Sequence, residues 1–142
     1  SETALARALR AGAALARERV LYLIWRDPWM TVGPDTYVSR TLATVGWETW
    51  PRAAEARYPE VALDTATLAA VDVVLLSTEP YRFRARDVGA LARRPGLGGK
   101  RIALIDGAMT SWYGSRAVLG MRYLPRFRRA LERAGPAADA PS

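Results

Sequence analysis

Short apolar runs alternate along the chain with segments of helical periodicity. Three of these runs lie at residues 20–25, 71–77 and 101–106, and a weaker one lies near 47–50. Each of the three is almost continuously apolar over its central residues, which is typical of a strand that is buried on both faces. The pattern therefore predicts three buried strands and a fourth, shorter one.

Helical segments lie between and around these strands. The first, residues 2–17, is rich in alanine and leucine and shows no N-terminal cap. Asp35 is the expected N-cap of a helix over 36–45, which Gly46 ends. The remaining predicted helices cover residues 64–70, 85–93 and 116–134. Pro125 predicts a kink or a restart in the last of them.

Continuous apolar strands that alternate with helices indicate a parallel sheet covered on both faces. A length of 142 residues suits one domain with a sizeable core. We therefore predict an α/β fold: a small Rossmann-like lobe with a mostly parallel sheet flanked by helices. Sheets of this kind bind ligands outside the carboxyl ends of their strands.

Aromatic, arginine and polar side chains follow three of the predicted strands. They are Trp25, Arg26 and Trp29 after the first, Glu79 and Tyr81 after the second, and Ser111, Trp112, Tyr113 and Arg116 after the third. Because the carboxyl ends of parallel strands share one edge, these side chains predict the wall of a cleft for a large, flat ligand with acidic groups. For any single loop, the alternative is an aromatic side chain that only seals the end of the sheet.

Composition excludes several kinds of site. The chain has no cysteine and no histidine, so it forms no disulfide, no Cys/His metal site and no Ser-His-Asp triad. No apolar run reaches the length needed to cross a bilayer. The net charge of +7 raises the question of nucleic acid, but arginine is spread along the whole chain. The densest group has the spacing of one solvated helix face and comprises Arg122, Arg126, Arg128, Arg129 and Arg133.

Two alternatives to a binding lobe stay open. Glu79 and Asp106 each end a strand and form a candidate acid/base pair for a small α/β enzyme. Arginines interleaved with aromatics also suit a module that binds single-stranded nucleic acid. The glycine-rich run 96–100 precedes a strand instead of following one, so it is interpreted as a turn and not as a phosphate loop.

The order of the segments resembles a known family. A long helix leads into a strand that ends in an aromatic-proline loop, and the next helix ends at Ala43-Thr44-Val45-Gly46. Arg57-Tyr58-Pro59 then precedes a short helix and a strand that contains DVVLL at 72–76, and DGAMTSWYGSR follows at 106–116. This order resembles the C-terminal lobe of the helical-backbone metal receptors, which are periplasmic substrate-binding proteins of ABC importers for cobalamin, haem and ferric siderophores.

The resemblance implies a division of the chain. Residues 1–18 would be the end of the long bridging helix that joins two lobes in this family, 19–135 the C-terminal ligand-binding lobe, and 136–142 a flexible tail. The N-terminal lobe would then lie outside this chain, and the isolated lobe is expected to expose apolar surface. A homodimer through that surface, or through the end of the first helix, is one way to cover it. An extracytoplasmic location follows from the resemblance alone.

The resemblance also implies roles for residues. The residues that match the ligand-facing loops are Trp25, Trp29, Ser111, Trp112 and Tyr113. Arg26 and Arg116 would be cations that either bind the ligand or lock a loop, and the expected ligand is a corrinoid or another metal chelate. Asp64, with Glu60 as the nearby substitute, matches the acid that docks on the membrane permease; a simple helix cap is the alternative for Asp64. We expect no catalysis, no covalently bound cofactor, no metal held by the protein itself and no nucleic-acid partner.

Overall fold

A four-stranded parallel sheet forms the centre of the protein. The computed structural model describes residues 2–111 and 116–136. The strands are β1 (Glu18–Leu23), β2 (Trp47–Thr49), β3 (Val73–Ser77) and β4 (Arg101–Ile105). Their order in the sheet is β2-β1-β3-β4, and every neighbouring pair is parallel. The predicted α/β fold is thus confirmed, together with all four strands.

The described residues contain five α-helices besides the sheet. They are α1 (Ala4–Ala13), α2 (Tyr37–Ala43), α3 (Thr65–Ala70), α4 (Ala85–Ala92) and α5 (Arg116–Ala134). A short 3₁₀ helix, Gly107–Thr110, follows β4. The predicted helices are therefore present, and α5 runs through Pro125 as one helix.

Two helix starts differ from the prediction. The first helix has a cap after all, because the hydroxyl of Thr3 accepts a hydrogen bond from the amide of Ala6 at 3.1 Å. The N-cap of the second helix is Thr36 rather than Asp35, since the Thr36 hydroxyl accepts a hydrogen bond from the amide of Ser39 at 3.2 Å. The same hydroxyl donates to the carbonyl of Gly33 at 2.9 Å, which fixes the turn before the helix.

Alternate residues of the strands belong to two separate cores. Val20, Tyr22, Val73 and Leu75 pack in one cluster with side chains of α2 and α5. Leu21, Leu23, Val74 and Leu76 pack in the other cluster with side chains of α3 and α4. Because side chains alternate between the faces of a strand, a sheet covered on both faces is apolar at every position. This burial explains the continuous apolar runs in the sequence.

A buried ion network ties α5 to the amino end of the sheet. Arg128 is 1% exposed, and its guanidinium lies 3.2 Å from a carboxylate oxygen of Glu18 at the start of β1. Glu18 also accepts a hydrogen bond from the indole of Trp47 at 3.1 Å and pairs with Arg101 of β4. The expectation that Arg128 belongs to a solvated helix face is wrong, because the guanidinium satisfies its hydrogen bonds inside the protein.

Gly46 leaves the space that this network needs. Its φ of 80° lies in the left-handed region, and a Cβ there would lie 2.8 Å from the Arg128 guanidinium. Arg128 also donates to the carbonyl of Val45. The turn that ends α2 is thereby held against α5.

We expect Arg128→Ala to lower the free energy of unfolding by about 3–5 kcal/mol, because the change opens a cavity, leaves the Val45 carbonyl without its guanidinium donor and removes one of the two arginines that pair with Glu18. Urea denaturation monitored by far-UV circular dichroism measures this loss. Arg129→Ala, one residue further on the exposed face of the helix, is the matched control and should change stability by less than about 0.5 kcal/mol. Equal effects of the two substitutions would contradict a structural role for the buried network.

Candidate functional site

A cavity of about 410 Å³ lies at the carboxyl edge of the sheet. Residues that follow β1 and β3 line it, together with side chains of α2 and of the loop after β2. Its wall is mainly apolar and includes Ile24, Met30, Val32 and Val38. The cavity therefore lies where parallel α/β sheets bind their ligands.

Three strand-end segments meet beneath this cavity at one buried tyrosine. The hydroxyl of Tyr22 donates to the hydroxyl of Ser77 at 3.0 Å and lies 2.7 Å from the hydroxyl of Thr110. Ser77 in turn donates to the carbonyl of Glu79, and Thr110 donates to that of Gly107. Burial raises the pKa of Tyr22 to about 12, because the phenolate would be desolvated there. The cavity thus has a hydrogen-bonded floor that joins β1, β3 and the loop after β4.

Two exposed aromatic side chains stand at the rim. Trp25 is 41% exposed and meets Tyr81 edge to face, with ring centroids 5.3 Å apart. Tyr58 is 50% exposed and also lines the cavity. Large apolar rings with free surface offer contact area to a flat ligand.

Backbone pairing brings Tyr58 to the site. The amide of Gly33 donates to the carbonyl of Arg57 at 2.7 Å, and that of Thr31 donates to the carbonyl of Pro59 at 3.0 Å. The segment around Tyr58 therefore lies alongside the residues that follow β1. In the sequence, Tyr58 belongs to the Arg57-Tyr58-Pro59 motif, and a tyrosine in a loop of otherwise small, proline and charged residues was the available signal for its role.

The predicted site residues Glu79 and Ser111 also line the cavity, as Trp25 does. Arg116 is exposed at the start of α5 and is not one of the lining residues. Trp112 and Tyr113 lie outside the described residues, so their predicted role stays a prediction.

Arg26 and Trp29 lie elsewhere, next to α4. The ring of Trp29 stacks on Phe83 at 6.2 Å with an interplanar angle of 4°, and the guanidinium of Arg26 lies 5.4 Å from the Trp29 ring centre. Arg26 also contacts a carboxylate oxygen of Asp87 at 3.5 Å. The chain turns sharply between the two tryptophans, at Asp27 with a φ of 57°. The structure therefore separates Trp29 and Arg26 from the cavity that Trp25 lines.

The two acids proposed for docking are both exposed. The carboxylate of Asp64 caps α3 and accepts a hydrogen bond from the amide of Thr67 at 2.9 Å, and this hydrogen bond lowers the pKa of Asp64. Glu60 forms a backbone bridge with Met30 of the cavity wall. Since α3 leads into a parallel strand, its first residue lies at the same end of the sheet as the cavity.

The structure gives a structural role to one member of the candidate acid/base pair. The carboxylate of Asp106 accepts from the amide of Ala108 at 3.0 Å and so caps the 3₁₀ helix, whereas Glu79 is exposed at the cavity. Within residues 2–111 and 116–136, no group of three or more acidic side chains is arranged to hold a metal ion. In the same part of the chain, no helix is both long and apolar enough to span a membrane.

The raised pKa of Tyr22 predicts a loss of stability at alkaline pH. Since the folded-state pKa lies above the unfolded value of about 10, the stabilisation is complete below pH 10 and is lost as the pH rises towards 12. We expect the free energy of unfolding to fall over this interval by on the order of 1 kcal/mol per pH unit from this group. Urea titrations at several pH values measure the slope.

Tyr22→Phe should flatten this alkaline slope, at a cost of about 1 kcal/mol at neutral pH from the lost hydrogen bonds. Tyr37→Phe, at an exposed tyrosine on α2, is the control and should keep the wild-type slope. If Tyr22→Phe leaves the slope unchanged, the floor tyrosine is not the group that titrates.

Comparison with known proteins finds a match in structure only. No known protein family and no curated protein matches the sequence. The periplasmic vitamin B12-binding protein BtuF of Vibrio cholerae matches with a TM-score of 0.63 and 14% identity, over 89% of this chain and 50% of that one. The periplasmic haem-binding protein RhuT of Roseiflexus matches with a TM-score of 0.66 and 22% identity, over 89% and 52%.

A third match is a Staphylococcus epidermidis protein described as a possible iron-binding periplasmic solute-binding protein. Its TM-score is 0.67 at 15% identity, over 84% of this chain and 48% of that one. This chain thus spans about half the length of the structures that it matches. The chain has the fold of one half of these periplasmic binding proteins, as the resemblance in the sequence predicts.

Proposed function

We propose that this chain is the C-terminal, ligand-binding lobe of an ABC-importer substrate-binding protein for a corrinoid or another metal chelate. The observation that carries the proposal is the apolar cavity at the carboxyl edge of the sheet, with Trp25 and Tyr58 exposed at its rim. A cavity of this kind suits a large, flat, mainly apolar ligand held by contact area.

The small number of charged side chains in the cavity lining favours an uncharged ligand. Among the described residues that line the cavity, Glu79 is the one ionisable side chain besides the tyrosines. An acidic ligand needs cationic partners, and Arg26, which the sequence suggested for that task, faces α4 instead. An uncharged corrinoid therefore fits this lobe better than a chelate rich in carboxylates.

The proposal makes the cavity one wall of a cleft and places the second wall on an N-terminal lobe. In support, this chain spans about half of each binding protein that it matches. Helix α1 stands largely clear of the sheet: Gly12 is its one buried residue, and Leu5 and Leu9 are exposed. An exposed apolar helix suits the bridging role that the resemblance implies, with dimerisation of an isolated lobe as the alternative use of that surface.

This function needs no chemistry from Glu79, which we assign to ligand contact. The transport partner would be the membrane permease of the importer, and the location would be extracytoplasmic. The periplasmic proteins that share the fold support this location.

Saturable quenching of tryptophan fluorescence tests the proposal, with cyanocobalamin, haemin and ferric siderophores as ligands and the full-length gene product as protein. We expect Trp25→Ala to weaken binding by about tenfold or more, since an aromatic contact of this size contributes on the order of 1–3 kcal/mol. Trp29→Phe keeps the stack on Phe83 and is the matched control, expected to change affinity less than about twofold. No quenching by any of these ligands with folded protein would remove metal chelates as the cargo.

Two substitutions separate the proposed docking of Asp64 on the permease from its role as a helix cap. Asparagine is as good an N-cap as aspartate but carries no charge, so Asp64→Asn should keep the unfolding midpoint and reduce stimulation of the permease ATPase by the loaded binding protein. Asp64→Ala should reduce both. Glu60→Gln is the parallel substitution at the neighbouring acid. Full stimulation by Asp64→Asn would leave this residue as a cap only.

A further inference from the structure

The solvent-facing side of α5 carries arginine without acidic residues. Successive residues of an α-helix are about 100° apart, so six exposed residues of α5 fall within an arc of about 100°. They are Val118, Leu119, Arg122, Arg126, Arg129 and Arg133. The opposite side of the helix is buried and includes Leu124, Arg128 and Leu131. We call the six exposed residues the basic stripe.

No acid balances the stripe from its own helix. Glu132, the one acidic residue of α5, bonds to the Nε of Arg128 at 3.0 Å. Within the described residues, none of the four stripe arginines takes part in an ion pair. Their spacings are three and four residues, at which like charges repel and destabilise a helix. A partner of opposite charge would relieve the repulsion among these four arginines.

The shape and composition of the stripe favour a membrane as that partner. Arg122 and Arg133 are about 16 Å apart along the axis at 1.5 Å per residue, so all four guanidinium groups reach one flat surface together. Val118 and Leu119, at the start of the stripe, are 47% and 54% exposed. Exposed aliphatic side chains beside arginine suit the boundary between headgroups and acyl chains. The arc contains no aromatic side chain for stacking on bases, which disfavours single-stranded nucleic acid.

We propose that α5 is a membrane-contact helix, whose basic stripe binds the phosphates of anionic lipids while Val118 and Leu119 contact the acyl boundary. Each arginine near such a surface strengthens binding by on the order of fivefold. The inference rests on α5 alone and does not depend on the ligand or on the importer. It would hold the lobe against the bilayer.

Co-sedimentation of the full chain with lipid vesicles tests this proposal. The probes are vesicles of about one-third phosphatidylglycerol in phosphatidylcholine, and vesicles of phosphatidylcholine alone. We expect binding to the anionic vesicles at low ionic strength and its loss at high salt, because salt screens exposed charges. The stripe variant carries glutamine at positions 122, 126, 129 and 133. A matched control carries glutamine in place of four other exposed arginines, Arg52, Arg82, Arg86 and Arg93.

Both quadruple variants lose four positive charges from the same total of +7. The stripe variant should bind the anionic vesicles more than about a hundredfold more weakly than the wild type, and the control less than about tenfold more weakly. Equal losses in the two variants would overturn the proposal in favour of overall charge. Absence of binding at low salt would also overturn it, as would tight binding to oligonucleotides without binding to vesicles. Leu119→Ser should weaken binding to vesicles further and leave any binding to a soluble polyanion unchanged.

Discussion

A parallel sheet with two apolar faces has to be covered by helices on both, and this requirement shapes the whole protein. Each strand must be followed by a connection that crosses back over a face, so every strand runs in the same direction. The carboxyl ends of β1, β3 and β4 therefore meet at one edge. The loops that leave this edge are free of the core, which is why aromatic and charged side chains gather there.

A separate polar network stabilises each end of the sheet. At the amino end, Arg128 and Glu18 join α5 to β1 in a buried ion network. At the carboxyl end, the hydroxyl groups of Tyr22, Ser77 and Thr110 join three strand-end segments. Buried polar groups with their hydrogen bonds satisfied specify one arrangement, because any shift leaves a desolvated partner. The cavity is consequently built on a rigid floor.

The character of the site follows from which side chains reach it. Apolar residues form its wall, Trp25 and Tyr58 its rim, and the described lining contains no guanidinium. A surface of this kind suits a ligand held by contact area and exclusion of water, and Glu79 and Ser111 are the residues that we propose for polar contacts. Binding without chemical change is the activity that we propose for this arrangement.

The pattern of apolar and polar residues was enough to predict the four strands, the five helices, the α/β class and the edge of the sheet at which the cavity lies. It did so because burial on both faces of a sheet leaves continuous apolar runs, and helix caps and turn residues act locally. Three features became visible only in the folded chain: Arg128 is buried, Trp29 turns towards α4 while Trp25 faces the cavity, and Tyr58 lies at the rim. Each of these outcomes depends on the direction of a turn or on pairing between distant segments. Turn direction and long-range pairing leave no periodic signal in the sequence.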